Sequence, residues 1–220
     1  DPRGFEVIEG EPVVYWWSKQ FLRQYAAAPK LRLIAPARQG LISGDMTRFL
    51  RRPFELAGGA VFVGKHTPPA GATRWVPYVR GASGRKWIED LECVVAWARE
   101  GLEVKALEAD GRQASRPQNE AWYFRRGVAF SMIGATCVSR AHRHSSVFGD
   151  KGSSVFPDDV AGTLCVMNRS VSQAILASLN PSVSFQAGDV NRLPIFPVAN
   201  SDEIFATIER AFTDHESHRE

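Results

Sequence analysis

Two arginine-rich stretches, residues 36–52 and 75–87, place the strongest constraint on how this chain can fold. Glycines interrupt both stretches, so we expect short segments joined by sharp turns. The span from Arg74 to Trp87 contains no acidic residue. Cations on a permissive backbone, together with aromatic side chains, are typical of a surface that binds a polyanion. A solvated basic face is the alternative interpretation.

The composition by itself indicates no function. The 220 residues are 44% hydrophobic and 23% charged, which is ordinary for a globular protein of one large domain or two small ones. The formal net charge of +3 is mildly basic, so nucleic-acid binding would require the cations to be concentrated locally. No apolar run approaches the roughly 18–20 residues of a membrane span, so we expect no membrane partner.

Cysteine usage and the start of the sequence add two expectations. The cysteines are widely spaced and odd in number, which argues against a disulfide framework and a zinc knuckle and suits a reducing cytoplasm. They are Cys93, Cys137 and Cys165. The chain begins at Asp1 and its first methionine is Met46, so we expect it to be a piece of a longer protein.

Hydrophobic periodicity predicts an α+β fold, with short mixed or antiparallel strands between an N-terminal helix and a helical C-terminal third. Helices are predicted over residues 11–28, 160–168 and 171–179, and a last helix after Asn200, with Glu203 completing a capping box. Strands or extended segments are predicted over residues 31–34, 60–63, 75–79, 122–130, 154–156, 185–190 and 193–196. Residues 75–79 are expected to be an exposed strand, residues 93–97 to be buried, and residues 100–118 to form a surface excursion.

Side-chain chemistry selects candidate contacts to DNA. Arginine forms forked hydrogen bonds with a guanine edge or a phosphate, lysine acts as a point charge, and glutamine and serine both donate and accept. The candidates that we select from the two stretches are Arg38, Gln39, Ser43, Arg48, Arg51, Arg80, Arg85 and Lys86. Trp87 offers a flat face for stacking or for burial. A polar turn later in the chain is expected to bind phosphate through Arg140, His142 and Arg143. The same turn also contains His144.

A metal-dependent nuclease is an alternative from a different class. Asp90, Glu103 and Lys105 fit a spacing in which two carboxylates hold a magnesium ion and a lysine helps to position the attacking water. The pattern is short and permissive, and a salt-bridged strand edge is the favoured explanation. No phosphate-binding glycine loop is present, and Asn180-Pro181 lacks the following proline and aromatic residue of a methyltransferase motif, so we interpret it as a helix stop.

Six ordered blocks between residues 36 and 194 resemble a known family. They are Pro36-x-Arg38-Gln39-Gly40-Leu41-x-Ser43-Gly44-Asp45-x-x-Arg48-Phe49-Leu50-Arg51, Trp75-x-Pro77-Tyr78-x-x-Gly81, Arg85-Lys86-Trp87, Tyr123-Phe124-x-x-Gly127-Val128-x-Phe130-Ser131, Asp150-x-Gly152-Ser153-Ser154-Val155-Phe156 and Leu179-Asn180-Pro181-x-x-x-Phe185-Gln186-x-Gly188-Asp189-Val190. The pattern resembles the C-terminal target-recognition region of large adenine-specific DNA methyltransferases of BREX phage-defence systems, the PglX type. More broadly it is similar to the TaqI-like C-terminal specificity domain of type IIG restriction-modification enzymes. Residues 88–90 are Ile-Glu-Asp where that family tends to have Tyr-Gly-Asn, so the recognised DNA sequence does not transfer.

The resemblance implies a domain that reads double-stranded DNA and positions an adenine for a catalytic domain outside this chain. Residues 1–35 would be a helix and linker from the N-terminal methyltransferase domain, residues 36–197 the target-recognition domain and residues 198–220 a C-terminal helix. S-adenosylmethionine would bind the parent enzyme and not this fragment, which would have no catalytic activity alone. A third hypothesis is a protein-interaction module that docks another defence component through Trp16 or Trp17.

Overall fold

The chain folds into two four-stranded sheets flanked by helices, which confirms the α+β prediction. The structure is a computed structural model, and it describes residues 8, 12, 14–64, 66–68, 74–81, 85–109, 111–182 and 184–217. Within these residues the helices are α1 (Lys19–Ala27), α2 (Leu31–Ile34), α3 (Met46–Phe49), α4 (Ala98–Lys105), α5 (Val160–Asn168), α6 (Ser170–Leu179), α7 (Ala187–Asn191) and α8 (Ser201–Ser217). The strands are β1 (Leu50–Arg51), β2 (Trp75–Val79), β3 (Trp87–Ile88), β4 (Val94–Ala96), β5 (Glu108–Ala109), β6 (Arg112–Gln113), β7 (Val128–Phe130), β8 (Ser139–Ala141), β9 (Val147–Phe148) and β10 (Ser154–Val155).

Both four-stranded sheets are mixed. The first has the order β1-β4-β2-β9, in which β2 is antiparallel to β4 and parallel to β9. The second has the order β10-β7-β8-β3, in which β7 is antiparallel to its neighbours and β3 is parallel to β8. The remaining pair, β5 and β6, forms a small antiparallel hairpin. Strand β2 therefore lies between two neighbours, and all five of its residues are buried. The prediction of an exposed strand at residues 75–79 was wrong, because β4 and β9 pair with both edges of β2.

Each sheet has its own hydrophobic core. Helices α5 and α6 cover the second sheet, where Leu164, Met167 and Leu176 pack with Val128 and Phe130. The core of the first sheet contains aliphatic and aromatic side chains from several segments, among them Leu41, Phe49, Val76, Tyr78, Trp97, Tyr123 and Phe148. Fully burying one such side chain contributes about 1.5–3 kcal/mol. Packing in these two cores fixes the positions of the strands, and the strands in turn position the exposed loops that connect them.

The first arginine-rich stretch connects the two sheets. The backbone of Arg38 pairs with Ser154 in the second sheet, and that of Leu41 pairs with Gly149 beside the first. Gly40 lies between them, and a Cβ there would lie 1.8 Å from the carbonyl oxygen of Phe148. Gly44 turns the chain with φ of 75°, a conformation that favours glycine. In this stretch, Gly40 thus allows the close approach to Phe148, and Gly44 allows the turn.

Several predicted elements are confirmed. Helix α5 has the predicted bounds, α6 begins one residue earlier than predicted and ends at Leu179, before Asn180-Pro181, and α8 follows Asn200. Asn200 has φ of 58°, which differs from the extended conformation usual at an N-cap. The strands predicted at residues 75–79 and 154–156 are β2 and β10. Residues 93–97, which were predicted to be buried, are mostly buried and contain β4. All three cysteines are buried and free.

Two short segments predicted to be extended are helical. Residues 31–34 form α2, whose first amide donates to the Leu193 carbonyl oxygen at 2.8 Å. Residues 185–190 were expected to be extended, but α7 occupies most of them because the Asp189 carboxylate accepts the Gln186 amide at 2.9 Å and closes a capping box. Short apolar runs do not distinguish a strand from a helical turn by periodicity alone. Residues 193–196 form only one bridge, between Lys30 and Pro194.

Other predicted boundaries were wrong. The N-terminal helix begins at Lys19 instead of residue 11, because the Ser18 hydroxyl accepts the Phe21 amide and starts the helix there. Residues 11 and 13 lie outside the described part of the chain. Residues 122–130 become a strand only from Val128, after a 3₁₀ turn at Glu120–Trp122. In residues 60–63, only Val61 makes a bridge, to Trp75.

Candidate nucleic-acid interface

A cationic groove of about 620 Å³ lies where residues of both arginine-rich stretches meet. Its four cations come from separate segments: Arg52 follows β1, Arg80 follows β2, Arg85 precedes β3 and Lys151 precedes β10. Glu92 is the one acidic residue among its described lining residues. The remaining lining residues are Gly81, Cys93, Ser131, Met132 and Ile133. Residues 82–84, predicted to form a turn between Arg80 and Arg85, lie outside the described residues.

Buried structure holds Arg80 at the rim of the groove. Val79, the residue before it, is 1% exposed, and its carbonyl oxygen accepts the Gly149 amide at 3.0 Å. Gly152 passes so close that a Cβ would lie 2.2 Å from the same oxygen. The side chain of Arg80 itself is exposed and forms no ion pair with the described residues. A backbone held by these contacts therefore presents the Arg80 side chain to solvent.

Arg85 is held by two carboxylates. Its guanidinium forms an ion pair with Asp90 and a second with Glu92 at 2.7 Å, while its side chain stays 54% exposed. The two acids neutralise part of the groove's positive charge, and they also fix the direction of the guanidinium. The neighbouring Lys86 is exposed and forms no ion pair with described residues.

Trp87 connects this cationic segment to the second sheet. It is half-buried, packs against the core of that sheet and pairs with Arg140 across β3 and β8. Its φ of 81° is costly for a residue with a Cβ, by about 1–3 kcal/mol. Stacking and burial were both expected for Trp87. The structure shows that the side chain is partly buried.

Arg140 lies in the interior and not in an exposed polar turn. It belongs to β8, is 3% exposed and forms an ion pair with Glu89, which is 6% exposed. Its guanidinium also donates to the carbonyl oxygen of Arg80. Burial raises the pKa of Glu89 and lowers the pKa of Arg140, and their mutual attraction opposes both shifts. The predicted phosphate contact is thus buried support for the Arg80 backbone.

His142 and Ser43 are also buried. His142 lies with one ring nitrogen 3.0 Å from the Ser154 hydroxyl and the other 3.4 Å from the Arg125 carbonyl oxygen. Burial lowers the pKa of His142 to about 4, so the ring is neutral at pH 7. Ser43 is 5% exposed, beside the Gly44 turn. The prediction of an exposed polar turn was wrong because residues 139–141 complete the second sheet.

The other candidates are exposed or half-buried, but they lie apart from the groove lining. Arg48 forms an ion pair with Glu103 at 2.6 Å, and Arg51 donates to the Thr47 and Leu50 carbonyl oxygens. Arg143 packs on the Phe212 ring with 5.0 Å between its guanidinium carbon and the ring centroid.

Arg38 and Gln39 belong to a second basic surface, around Trp122. The guanidinium carbons of Arg38 and Arg125 lie 4.2 and 4.7 Å from the centroid of the Trp122 ring. Arg38 also donates to the Asn119 side-chain oxygen at 3.3 Å, and the Asn119 amide donates to the Gln39 carbonyl oxygen at 2.9 Å. The cations of the first stretch are therefore divided between two surfaces.

The three residues of the nuclease alternative are held in three separate ion pairs. Asp90 pairs with Arg85, Glu103 with Arg48, and Lys105 with Glu120 at 2.5 Å. Within the described ranges, no group of three or more histidine, cysteine, aspartate or glutamate side chains could hold a metal ion. This arrangement does not favour a nuclease and fits the alternative of salt-bridged surface residues.

Sequence reasoning did not select Arg52, Lys151 or Ile133 as site residues. Arg52 stood in the first stretch beside Arg51, and Lys151 occupied a variable position inside a block of the resemblance. Ile133 carried no sequence signal, because an isolated isoleucine is ordinarily assigned to a core. Only the fold brings these three residues to one groove.

The chain is homologous to a segment of two adenine-specific methyltransferases. It is 29% identical over 200 residues to the adenine-specific methyltransferase PglX of Lacticaseibacillus casei (strain Zhang), covering 87% of this chain and 17% of that protein. It is 26% identical over 199 residues to the adenine-specific methyltransferase BrxX of Escherichia coli O9:H4 (strain HS), covering 87% of this chain and 15% of that protein. The chain thus spans about a sixth of the length of these relatives. No protein-family model matches it. None of the helices in the described residues has the length and apolar character needed to cross a membrane.

Proposed function

We propose that this chain is the DNA target-recognition segment of an adenine-specific methyltransferase of a BREX phage-defence system, acting in the cytoplasm. The observation that carries the proposal is the cationic groove, in which Arg52 of one arginine-rich stretch meets Arg80 and Arg85 of the other. Homology to a sixth of two adenine-specific methyltransferases supports a role beside a catalytic domain that binds S-adenosylmethionine and lies elsewhere in the protein. A relation to the TaqI-like specificity domains of type IIG enzymes is part of the same proposal.

The groove residues divide into two roles. Arg52, Arg80 and Lys151 are exposed cations suited to phosphate contacts, which supply affinity and fix the position of a duplex. Arg85 is oriented by Asp90 and Glu92, which suits a directed forked contact with a guanine edge. Lys86 adds charge at the same segment. Arg140 contributes indirectly through its hydrogen bond to the Arg80 carbonyl oxygen.

The test is a titration of duplex DNA at several salt concentrations with the 220-residue chain, Arg80→Ala and Arg112→Ala. Arg112 is an exposed arginine in the β5–β6 hairpin and does not line the groove, so it is a matched control. Losing one phosphate contact should make the slope of log K against log salt shallower by about 0.9. We expect this change for Arg80→Ala and not for Arg112→Ala. Failure of the wild-type chain to bind duplex DNA at low salt, or equal effects of the two variants, would refute the proposal.

An exposed aromatic surface supports a second candidate, a protein-interaction module. Tyr15 is 77% exposed and Trp16 is 56% exposed, although the Trp16 indole donates to the Ser178 hydroxyl at 3.1 Å. Large aromatic side chains at the surface are enriched in protein interfaces. Binding to a defence protein that is lost in Trp16→Ala, and that is insensitive to salt and to DNA, would support this function.

A further inference from the structure

Ile133 stands out on the wall of the cationic groove. Its side chain is 68% exposed, although it lines the same groove as Arg52, Arg80, Arg85 and Lys151. Single exposed apolar residues are common on protein surfaces and by themselves indicate nothing. The position of this one is informative because four of the nine other residues that line the groove are cations.

The backbone around Ile133 is held on both sides. Ile133 makes a bridge with Ser184, and the Met132 carbonyl oxygen accepts the Phe185 amide at 2.8 Å. On the other side of the loop, the Ser131 hydroxyl accepts the Val138 amide at 3.0 Å. These bonds fix the loop that carries Ile133 to the core of the second sheet.

Neighbouring residues fix the outward direction of the side chain. Met132 is 5% exposed and packs in the core, where its sulfur accepts the Ser153 hydroxyl at 3.2 Å. The next residue, Ile133, makes a single bridge and its side chain is mostly exposed. Isoleucine is β-branched, and its first torsion angle is restricted. The groove therefore presents a stiff apolar side chain on an anchored loop.

We propose that Ile133 inserts between base pairs of the duplex held in this groove and partly unstacks one base step. Proteins that wedge a base step use an apolar side chain of this kind beside cations that hold the backbone. Arg80 and Lys151 supply such cations on the same groove. The inference rests on the proposed function, because the wedge requires a duplex to be bound there. It adds an unstacking step that the phosphate contacts do not provide.

The experiment uses a duplex enriched by the wild-type chain from a random-sequence pool, with the fluorescent base 2-aminopurine replacing each adenine in turn. Unstacking should raise the fluorescence at one position when the wild-type chain binds. The rise should be lost in Ile133→Ala and kept in Leu102→Ala, because Leu102 is an aliphatic residue on α4 that is 55% exposed and does not line the groove.

Affinity gives an independent readout. Ile133→Ala should weaken binding by roughly tenfold without changing the salt slope, since an apolar side chain releases no counterions. Thermal unfolding should be unchanged, because the side chain is mostly exposed. A persistent fluorescence rise in Ile133→Ala, or no rise with bound wild-type chain, would overturn the wedge and leave DNA binding intact. No enriched duplex and no DNA binding would overturn the proposed function and the wedge together.

Discussion

Arg140 and Glu89 form an ion pair in the protein interior, and the same guanidinium donates to the carbonyl oxygen of Arg80 at the rim of the groove. The buried ion pair of Arg140 and Glu89 thus supports the backbone of the exposed Arg80. Paired burial is tolerated because each charge compensates the other, whereas an unpaired buried charge is strongly destabilising.

Removing one member of this pair should therefore be costly. We expect Arg140→Met to lower the free energy of unfolding by about 3–5 kcal/mol, because Glu89 would remain buried without its partner. Adding Glu89→Leu should recover part of the loss. Urea denaturation of the two single variants and the double variant measures the coupling. An additive double variant would show that the ion pair does not link the two residues energetically.

Stability should fall in mild acid because of His142. Its pKa is lowered from 6.5 to about 4 in the folded chain, so the unfolded chain binds more protons between these two pH values. Stability is therefore lost as the pH is lowered from about 6.5 to about 4, by up to about 3 kcal/mol from this group. His142→Gln should show a flatter dependence of the denaturation midpoint on pH. An unchanged dependence in His142→Gln would assign the effect to another group.

Gly40 should not tolerate a side chain. Gly40→Ala places a Cβ 1.8 Å from the Phe148 carbonyl oxygen, so the two sheets would have to shift, at a cost of about 1–3 kcal/mol or more. Gly58→Ala is the matched control, because a Cβ there has no neighbour within 4 Å. Thermal unfolding of both variants tests the close approach. Equal midpoints would show that the first stretch does not pass this close to β9.

Neutralising the acids beside Arg85 should strengthen DNA binding. Asp90→Asn with Glu92→Gln removes two negative charges beside Arg85 and frees its guanidinium, so we expect tighter binding and a steeper salt slope. Glu108→Gln, on the exposed β5–β6 hairpin, controls for net charge. If Glu108→Gln strengthens DNA binding as much per charge removed as the double variant does, the effect comes from net charge alone.

Arg85→Ala tests the reading role of the same residue. If Arg85 contacts a guanine, the loss should be about 1–3 kcal/mol of binding free energy and specificity should relax at one position. Competition between the enriched duplex and single-base variants measures that change. Wild-type discrimination by Arg85→Ala would exclude Arg85 as a base-reading residue.

The longer periodic segments could be predicted from the sequence, and the short ones could not. Residues 160–168 were predicted with the observed bounds because a nine-residue apolar run is longer than most strands. Residues 31–34 and 185–190 are too short to carry a period, and their conformations depend on hydrogen bonds to Leu193 and within the Asp189 capping box. The predicted cationic character of the two stretches remains, but the roles of individual cations changed.

The sequence by itself determined the fold class, the clusters of arginine and glycine, and the resemblance to a segment of adenine-specific methyltransferases. The tertiary structure decided which cations reach solvent. The sequence predicted Arg140 and His142 in a polar turn at the surface. Both are buried, because β8, which contains Arg140 and directly precedes His142, lies inside the second sheet. Arg52, Arg85 and Lys151 are far apart in the sequence, yet they line one groove. Burial and proximity depend on contacts between distant segments, and no local pattern of residues encodes those contacts.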